Sequence, residues 1–116
     1  MDNKNFGYIA EEYAAKFLRK SGYRIIKKNF RTSFSEIDII AKKNDYLVFV
    51  EVKARSSLKF GFPEEAVSNL KLNRIKKAAY VYLQKYRLLN KKFRIDIVSL
   101  TYNKSKVISK KIIQVF

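Results

Sequence analysis

From Ser35 to Arg55 the chain reads SEIDIIAKKNDYLVFVEVKAR, two alternating runs separated by Asn44-Asp45. Side chains along a strand alternate faces, and a two-residue turn at Asn44-Asp45 fixes which positions oppose each other. Asp38 then lies opposite Glu51, and Glu36 opposite Lys53. The same register gathers Ile37, Ile39, Ala41, Val48, Val50 and Val52 on the other face as a core surface, so the apolar and the charged patterns require one pairing. Phe49, Ile40 and Leu47 share the acidic face, which is therefore not a simple wet surface.

Opposed residues have Cβ atoms about 5 Å apart, where two carboxylates repel by roughly 3 kcal/mol at an effective dielectric of 20. Carboxylates set among large apolar residues are costly unless something fixes them there. A divalent cation does so: Mg²⁺ takes oxygen ligands, typically one or two carboxylates with water and substrate phosphate completing its shell. Lys53, one strand step beyond Glu51, is suited to stabilise charge or position water beside such an ion.

The remaining chain supplies the frame. Phe6, Ile9, Ala10, Tyr13, Ala14 and Phe17 recur at helical spacing between Asn3 and Lys20, and Gly22 ends that helix. Tyr23–Phe30 reads as a strand leading into the hairpin. Ala54–Pro63, with Ser, Gly and Pro clustered, reads as the longest loop. Pro63 followed by Glu64 and Glu65 marks a helix start, and the helix is expected to run to about Leu89 with Val67, Ile75, Ala78, Ala79, Tyr82 and Tyr86 inward. Phe93–Leu100 alternates as a strand. Val107–Phe116 is a further strand, expected at a sheet edge because Lys110 and Lys111 interrupt it. The order α-β-β-β-α-β-β predicts an α/β fold, a mixed sheet with helices on its faces. Residues 1–116 are expected to form one domain.

Composition narrows the chemistry. The chain carries 26 Lys and Arg against 10 Asp and Glu, a net charge of +16, which points to a polyanionic partner, nucleic acid ahead of an anionic membrane surface. Cysteine and histidine are both absent, which excludes disulfides, Cys/His zinc sites, thiol nucleophiles and histidine bases. Hydrolysis must then use carboxylates, lysine, hydroxyls and metal. No apolar leader or membrane-length run is present, so a cytoplasmic location without membrane binding is expected.

Several residues admit two readings. Glu36 could bind a second ion or water, or form a cross-strand salt bridge with Lys53. Glu11 could reach past the core toward the sheet, or simply favour the N-terminal half of its helix. Lys71 lies at the buried stripe of the second helix and either snorkels to solvent or points into the site. Asp96, between Ile95 and Ile97, is expected to pair with a nearby basic group. The scattered cations, Arg31, Arg55, Lys59 and Arg74 among them, suit phosphate-backbone contact in preference to base readout. Phe60 and Phe62 either stack on an unpaired base or pack their loop down.

An acid, then a second acid and a lysine separated by one residue on adjacent strands, after an acid-bearing helix, resembles the metal site of the PD-(D/E)xK nuclease superfamily. Over nearly the whole chain, the segments AEEYAAKFL, SEIDIIA, LVFVEVKAR, Gly61–Lys71 and RIDIV resemble the bacterial YraN family, itself similar to archaeal Holliday junction resolvases. The resemblance implies a restriction-endonuclease-like three-layer core. It also implies Mg²⁺ or Mn²⁺ held by Asp38, Glu51 and the carbonyl of Val52, with Lys53 assisting the nucleophilic water. Glu11 becomes the first-helix acid and Lys71 a polar residue near the site. Ser35 and Ala10 stand where that family usually has glycine. The expected activity is a metal-dependent nuclease on DNA, branched or single-stranded, with a symmetric dimer as one way to cut two strands. The alternatives are a non-catalytic nucleic-acid-binding module of the same fold and a basic protein of the membrane surface.

Overall fold

Apolar residues at two periods, helical and alternating, sort the chain into three layers. The computed structural model describes residues 3–56 and 61–116, with side chains from Phe6 onward. Its elements are α1 (Asn3–Lys20), β1 (Arg24–Arg31), β2 (Glu36–Lys43), β3 (Tyr46–Arg55), a 3-10 turn (Pro63–Ala66), α2 (Asn69–Lys85), β4 (Phe93–Asn103) and β5 (Lys106–Gln114). The five strands form one sheet in chain order, with β3 and β4 parallel and all other neighbours antiparallel. This is the mixed α/β, restriction-endonuclease-like core expected from the sequence, and β5 lies at an edge as its lysines suggest. Among the described residues no helix is long and apolar enough to cross a membrane.

α1 covers one face of the sheet. Its Ala10, Ala14, Ala15 and Leu18 are buried against Ile39, Ala41, Val48, Val50, Val98 and Leu100. Small alanines let the helix axis approach the strands closely. Ile9, expected inward, is exposed, because Ala10 and Ala14 define the contact stripe one position further round. Gly22 stops the helix with φ of 91°, and the Tyr23 amide donates back to the Leu18 carbonyl at 2.9 Å.

α2 covers the opposite face, packing Ile75, Ala78, Ala79, Tyr82 and Leu83 on Ile40, Leu47, Phe49 and Ile95. It is shorter than the helix read from Pro63 to about Leu89. Pro63–Ala66 is a separate 3-10 turn, and α2 begins only after Ser68, whose hydroxyl accepts from the Lys71 amide at 3.1 Å. Glu64 is occupied elsewhere: it accepts from Ser99 Oγ at 2.7 Å on β4 and from Lys111 on β5. Val67 falls in the break between the two elements. At the other end Tyr86 is the C-cap and Arg87 takes φ of 56°, so Tyr86 turns outward.

The hairpin register is the one read from the sequence, from Ile39 opposite Val50 to Lys43 opposite Tyr46, with Asn44 at φ of 53° in the turn. Beyond Ile39 the strands depart from the expectation. Asn29 on β1 holds φ of 57°, which breaks alternation there. Lys28 faces α1, where it pairs with Glu12 at 2.6 Å, yet Phe30 two residues on faces α2. Ile37, paired with Phe30, follows it into the α2-side core instead of joining Ile39. That twist sends the residues flanking Ile37, Glu36 and Asp38, toward α1.

Candidate functional site

The β2–β3 ladder ends at Ile39 and Val50, and the gap beyond it is filled by a carboxylate. Asp38 Oδ2 accepts the Val52 amide at 2.8 Å, replacing the backbone acceptor that a continued ladder would have offered. The carboxyl group of Asp38 is thereby turned along the sheet toward β3. Carboxylate oxygens of Glu11, Glu36 and Asp38 all lie within 4.8 Å of one another, a grouping able to hold a metal ion. Glu11 reaches it from α1, as the long side chain of a residue beside the buried Ala10, Ala14 stripe. Glu51 follows Phe49 on the α2-facing side of β3 and is buried; it does not stand opposite Asp38 as strict alternation predicts, because the ladder ends one pair earlier, and it lies outside the three-acid group.

The electrostatics tie these acids together. Burial, then the charge of Asp38, pushes the Glu51 carboxyl up to about 7, against the opposing pull of Lys71 and Lys53. Burial, then the charge of Asp38 and a hydrogen bond with it, pushes Glu11 up to about 7 as well. Asp38 is raised, chiefly by burial, although the Val52 amide works the other way. Their contact raises Glu11 and lowers Asp38, so of the two Glu11 is the one favoured to carry a proton. Three acids meet here, the charge of Asp38 also reaches Glu51, and the neighbouring cations are largely committed. Arg31 takes Glu36 at 3.0 Å, Lys53 takes Glu51 at 3.5 Å, and Lys28 is engaged with Glu12. A cluster of hard oxygen donors that must otherwise hold protons at neutral pH is what a divalent cation of the Mg²⁺ type fits.

The sequence-derived residues fall into distinct positions. Lys71, in the first turn of α2, points into the site: its Nζ lies 3.4 Å from Ser35 Oγ, and its charge reaches both Asp38 and Glu51. The Glu36–Lys53 pair expected from strict alternation does not form. Glu36 pairs with Arg31 because the ladder has parted and β1 lies nearer, which leaves Lys53 to Glu51. Val52 contributes its amide to Asp38. Arg55 ends β3 half-buried and Arg74 is exposed on α2; among the described residues neither pairs with an acid. Lys59 and Phe60 lie outside the described residues. Asp96 is taken up by a buried group on the α1 face, accepting from Tyr23 Oη at 2.7 Å and pairing with Arg94 at 3.2 Å.

Glu36 is the residue whose place the sequence leaves most open, and it stands in the cluster. Its shared parity with Asp38 is the available signal. Ser35 gains no role from composition or spacing, yet its hydroxyl meets Lys71.

Known proteins share this chain's pattern along most of its length. The model of the "Uncharacterised protein family UPF0102" matches residues 10–100, a span containing every carboxylate and lysine of the site. A UPF0102 protein of Dictyoglomus turgidum is 47% identical over 100 residues, covering 86% of this chain and 85% of the relative. One from Syntrophomonas wolfei is 45% identical over 98 residues, covering 84% and 85%. One from Clostridium perfringens is 45% identical over 101 residues, covering 87% and 83%.

Proposed function

The chain belongs to the UPF0102 family, and on that footing we propose that it is a metal-dependent nuclease that hydrolyses phosphodiester bonds of DNA, branched or single-stranded. The observation that carries this reading is the convergence of Glu11, Glu36 and Asp38, with Glu51 coupled to Asp38, beside Lys53 and Lys71 on a chain of net charge +16. The resemblance of Asp38 and Glu51-Val52-Lys53 to the PD-(D/E)xK pattern supports the same assignment.

Asp38 and Glu51 would hold Mg²⁺ or Mn²⁺, with the Val52 carbonyl as a further oxygen, and Glu11 would orient a water or aid a second ion. The cation, when bound, supplies Lewis acidity at the phosphoryl oxygens and eases deprotonation of the attacking water. Lys53 places its ammonium where negative charge develops on the phosphate. Lys71, braced on Ser35, adds a second positive charge at the rim. The Val52 amide keeps Asp38 aimed, so the ligand is held before substrate arrives. Arg31, Arg55, Lys59 and Arg74 grip the backbone by charge, which suits recognition of shape over sequence and predicts affinity that falls steeply with salt. The partner is met in the cytoplasm, and a symmetric dimer is compatible with cutting two strands.

The test is a cleavage panel of four-way junction, flap, single-stranded and duplex DNA in Mg²⁺, Mn²⁺ and EDTA. Cutting of at least one branched or single-stranded substrate in Mg²⁺ or Mn²⁺, and none in EDTA, is expected. Tight binding across the panel without cutting would favour a non-catalytic module. Retention on anionic vesicles with no DNA binding would favour the membrane-surface reading.

A further inference from the structure

Between β1 and β2 the chain makes a turn pinned almost wholly by one side chain. Thr32 Oγ1 accepts from the amides of Phe34 and Ser35, each at 3.1 Å, and donates to the Ser35 carbonyl at 2.8 Å, while the Thr32 amide donates to that same carbonyl at 3.0 Å. Ser35 is held from outside by Lys71. A turn so bonded normally serves to close two strands, and polar residues at its tip would suffice. This one instead carries Phe34, a residue 46% exposed. Lys77 Nζ lies 5.6 Å from the ring centroid, which leaves much of the ring open.

Its position gives the ring a purpose. Phe34 precedes Glu36 by two residues and Asp38 by four, so the turn that carries it leads straight into the strand bearing both acids. Arg31, at the start of the same turn, is largely exposed, and Lys71 and Lys77 flank it from α2. A half-open aromatic ring on a pinned turn, with a lysine beside it and further cations on the neighbouring residues, is a combination that stacks a base while its phosphates are held. A duplex does not offer such a base, since its faces are covered by neighbouring pairs. An unpaired nucleotide does.

We infer that the Thr32–Ser35 turn, which leads into the acid-bearing strand, presents Phe34 as a stacking platform for an unpaired nucleobase, which makes Phe34 a specificity-determining residue for single-stranded or locally unpaired nucleic acid. The inference rests on the nucleic-acid side of the proposed function. It distinguishes a nucleotide held by its base from one held by phosphate contacts alone.

The test uses equilibrium binding in EDTA, where no cleavage occurs. Fluorescence anisotropy compares a labelled oligothymidylate of about twelve nucleotides with an abasic strand of equal length, each as DNA and as RNA. Phe34→Ala should weaken binding of the base-bearing strand by about 5- to 150-fold and leave the abasic strand unchanged, since a stacked base contributes about 1–3 kcal/mol. The chain has no tryptophan, so Phe34→Trp introduces a single indole whose emission should be quenched as the base-bearing strand binds. The DNA and RNA arms identify the sugar. Three results would overturn the inference: wild-type affinity in Phe34→Ala, an equal loss on the abasic strand, or indole emission that does not respond to binding. A wild-type protein that binds neither strand at low salt would overturn it together with the nuclease reading. A protein that binds and stacks but cuts nothing in Mg²⁺ or Mn²⁺ would remove the nuclease reading alone.

Discussion

Asp38→Asn is expected to reduce cleavage of the best substrate by about a hundredfold or more, with Lys53→Ala falling by a comparable factor. The substitution is chosen because asparagine keeps the oxygen that accepts from the Val52 amide, so the parting of β2 and β3 should survive. What it removes is the negative charge at the centre of the carboxylate group. The introduced side-chain amide also offers a donor toward Glu11, so the proton that Glu11 now retains is no longer required. Loss of turnover without loss of DNA affinity would place the effect in the chemical step, since a removed negative charge cannot weaken attraction to phosphate. The readout is single-turnover cleavage alongside binding in EDTA. Undiminished cleavage in either variant would move the activity to a different centre.

The second large effect concerns stability in the absence of metal. Glu11 and Glu51 both titrate at about 7 in the folded protein, against an ordinary glutamate value of 4.5. Between those values the folded chain holds protons that the unfolded chain has lost. Stability from these groups is therefore complete below about pH 4.5, declines as pH rises through 7, and is flat above. For buried Glu51 the loss is on the order of 2 to 3 kcal/mol, with a smaller share from the more exposed Glu11, whose charge water screens. The window is unusually clear because the chain contains no histidine to titrate within it. Glu51→Gln should flatten much of the slope and leave the metal-free protein more stable than wild type at pH 8. Urea midpoints in EDTA from pH 5 to pH 8 measure both, and wild-type midpoints that do not change over that range would contradict the stated titrations.

The parts of this molecule legible in its sequence are those where two patterns demand the same answer. The β2–β3 register is one: apolar alternation and the Asn44-Asp45 turn each fix it, and it holds from Lys43 opposite Tyr46 to Ile39 opposite Val50, one pair short of Asp38 and Glu51. The departures come where a single backbone angle overrides a pattern. Asn29 adopts a left-handed φ, and this moves Phe30 and Ile37 across the sheet and swings Glu36 toward Glu11. Asparagine is among the residues that tolerate such an angle, but tolerance does not say where it is used. The start of α2 departs from its sequence signal for a related reason. Pro63-Glu64-Glu65 has the composition of a helix start, yet Glu64 is claimed by Ser99 and Lys111 from strands distant in sequence, and Ser68 caps the helix instead. Contacts across 35 and 47 residues leave no local trace. The Tyr23–Asp96–Arg94 group shows the converse, since a strand aspartate between two isoleucines calls for a basic neighbour and finds one in Arg94.

The account depends on the acids of α1, β2 and β3 forming one cation site. Calorimetric titration with Mn²⁺ at about pH 7.5, for wild type, Asp38→Asn and Glu51→Gln, tests this most directly. Saturable binding by wild type, with proton release as Glu11 and Glu51 ionise, and binding weakened at least about tenfold in both variants, is the predicted result. Equal Mn²⁺ affinity in all three proteins, or none in wild type, would contradict it.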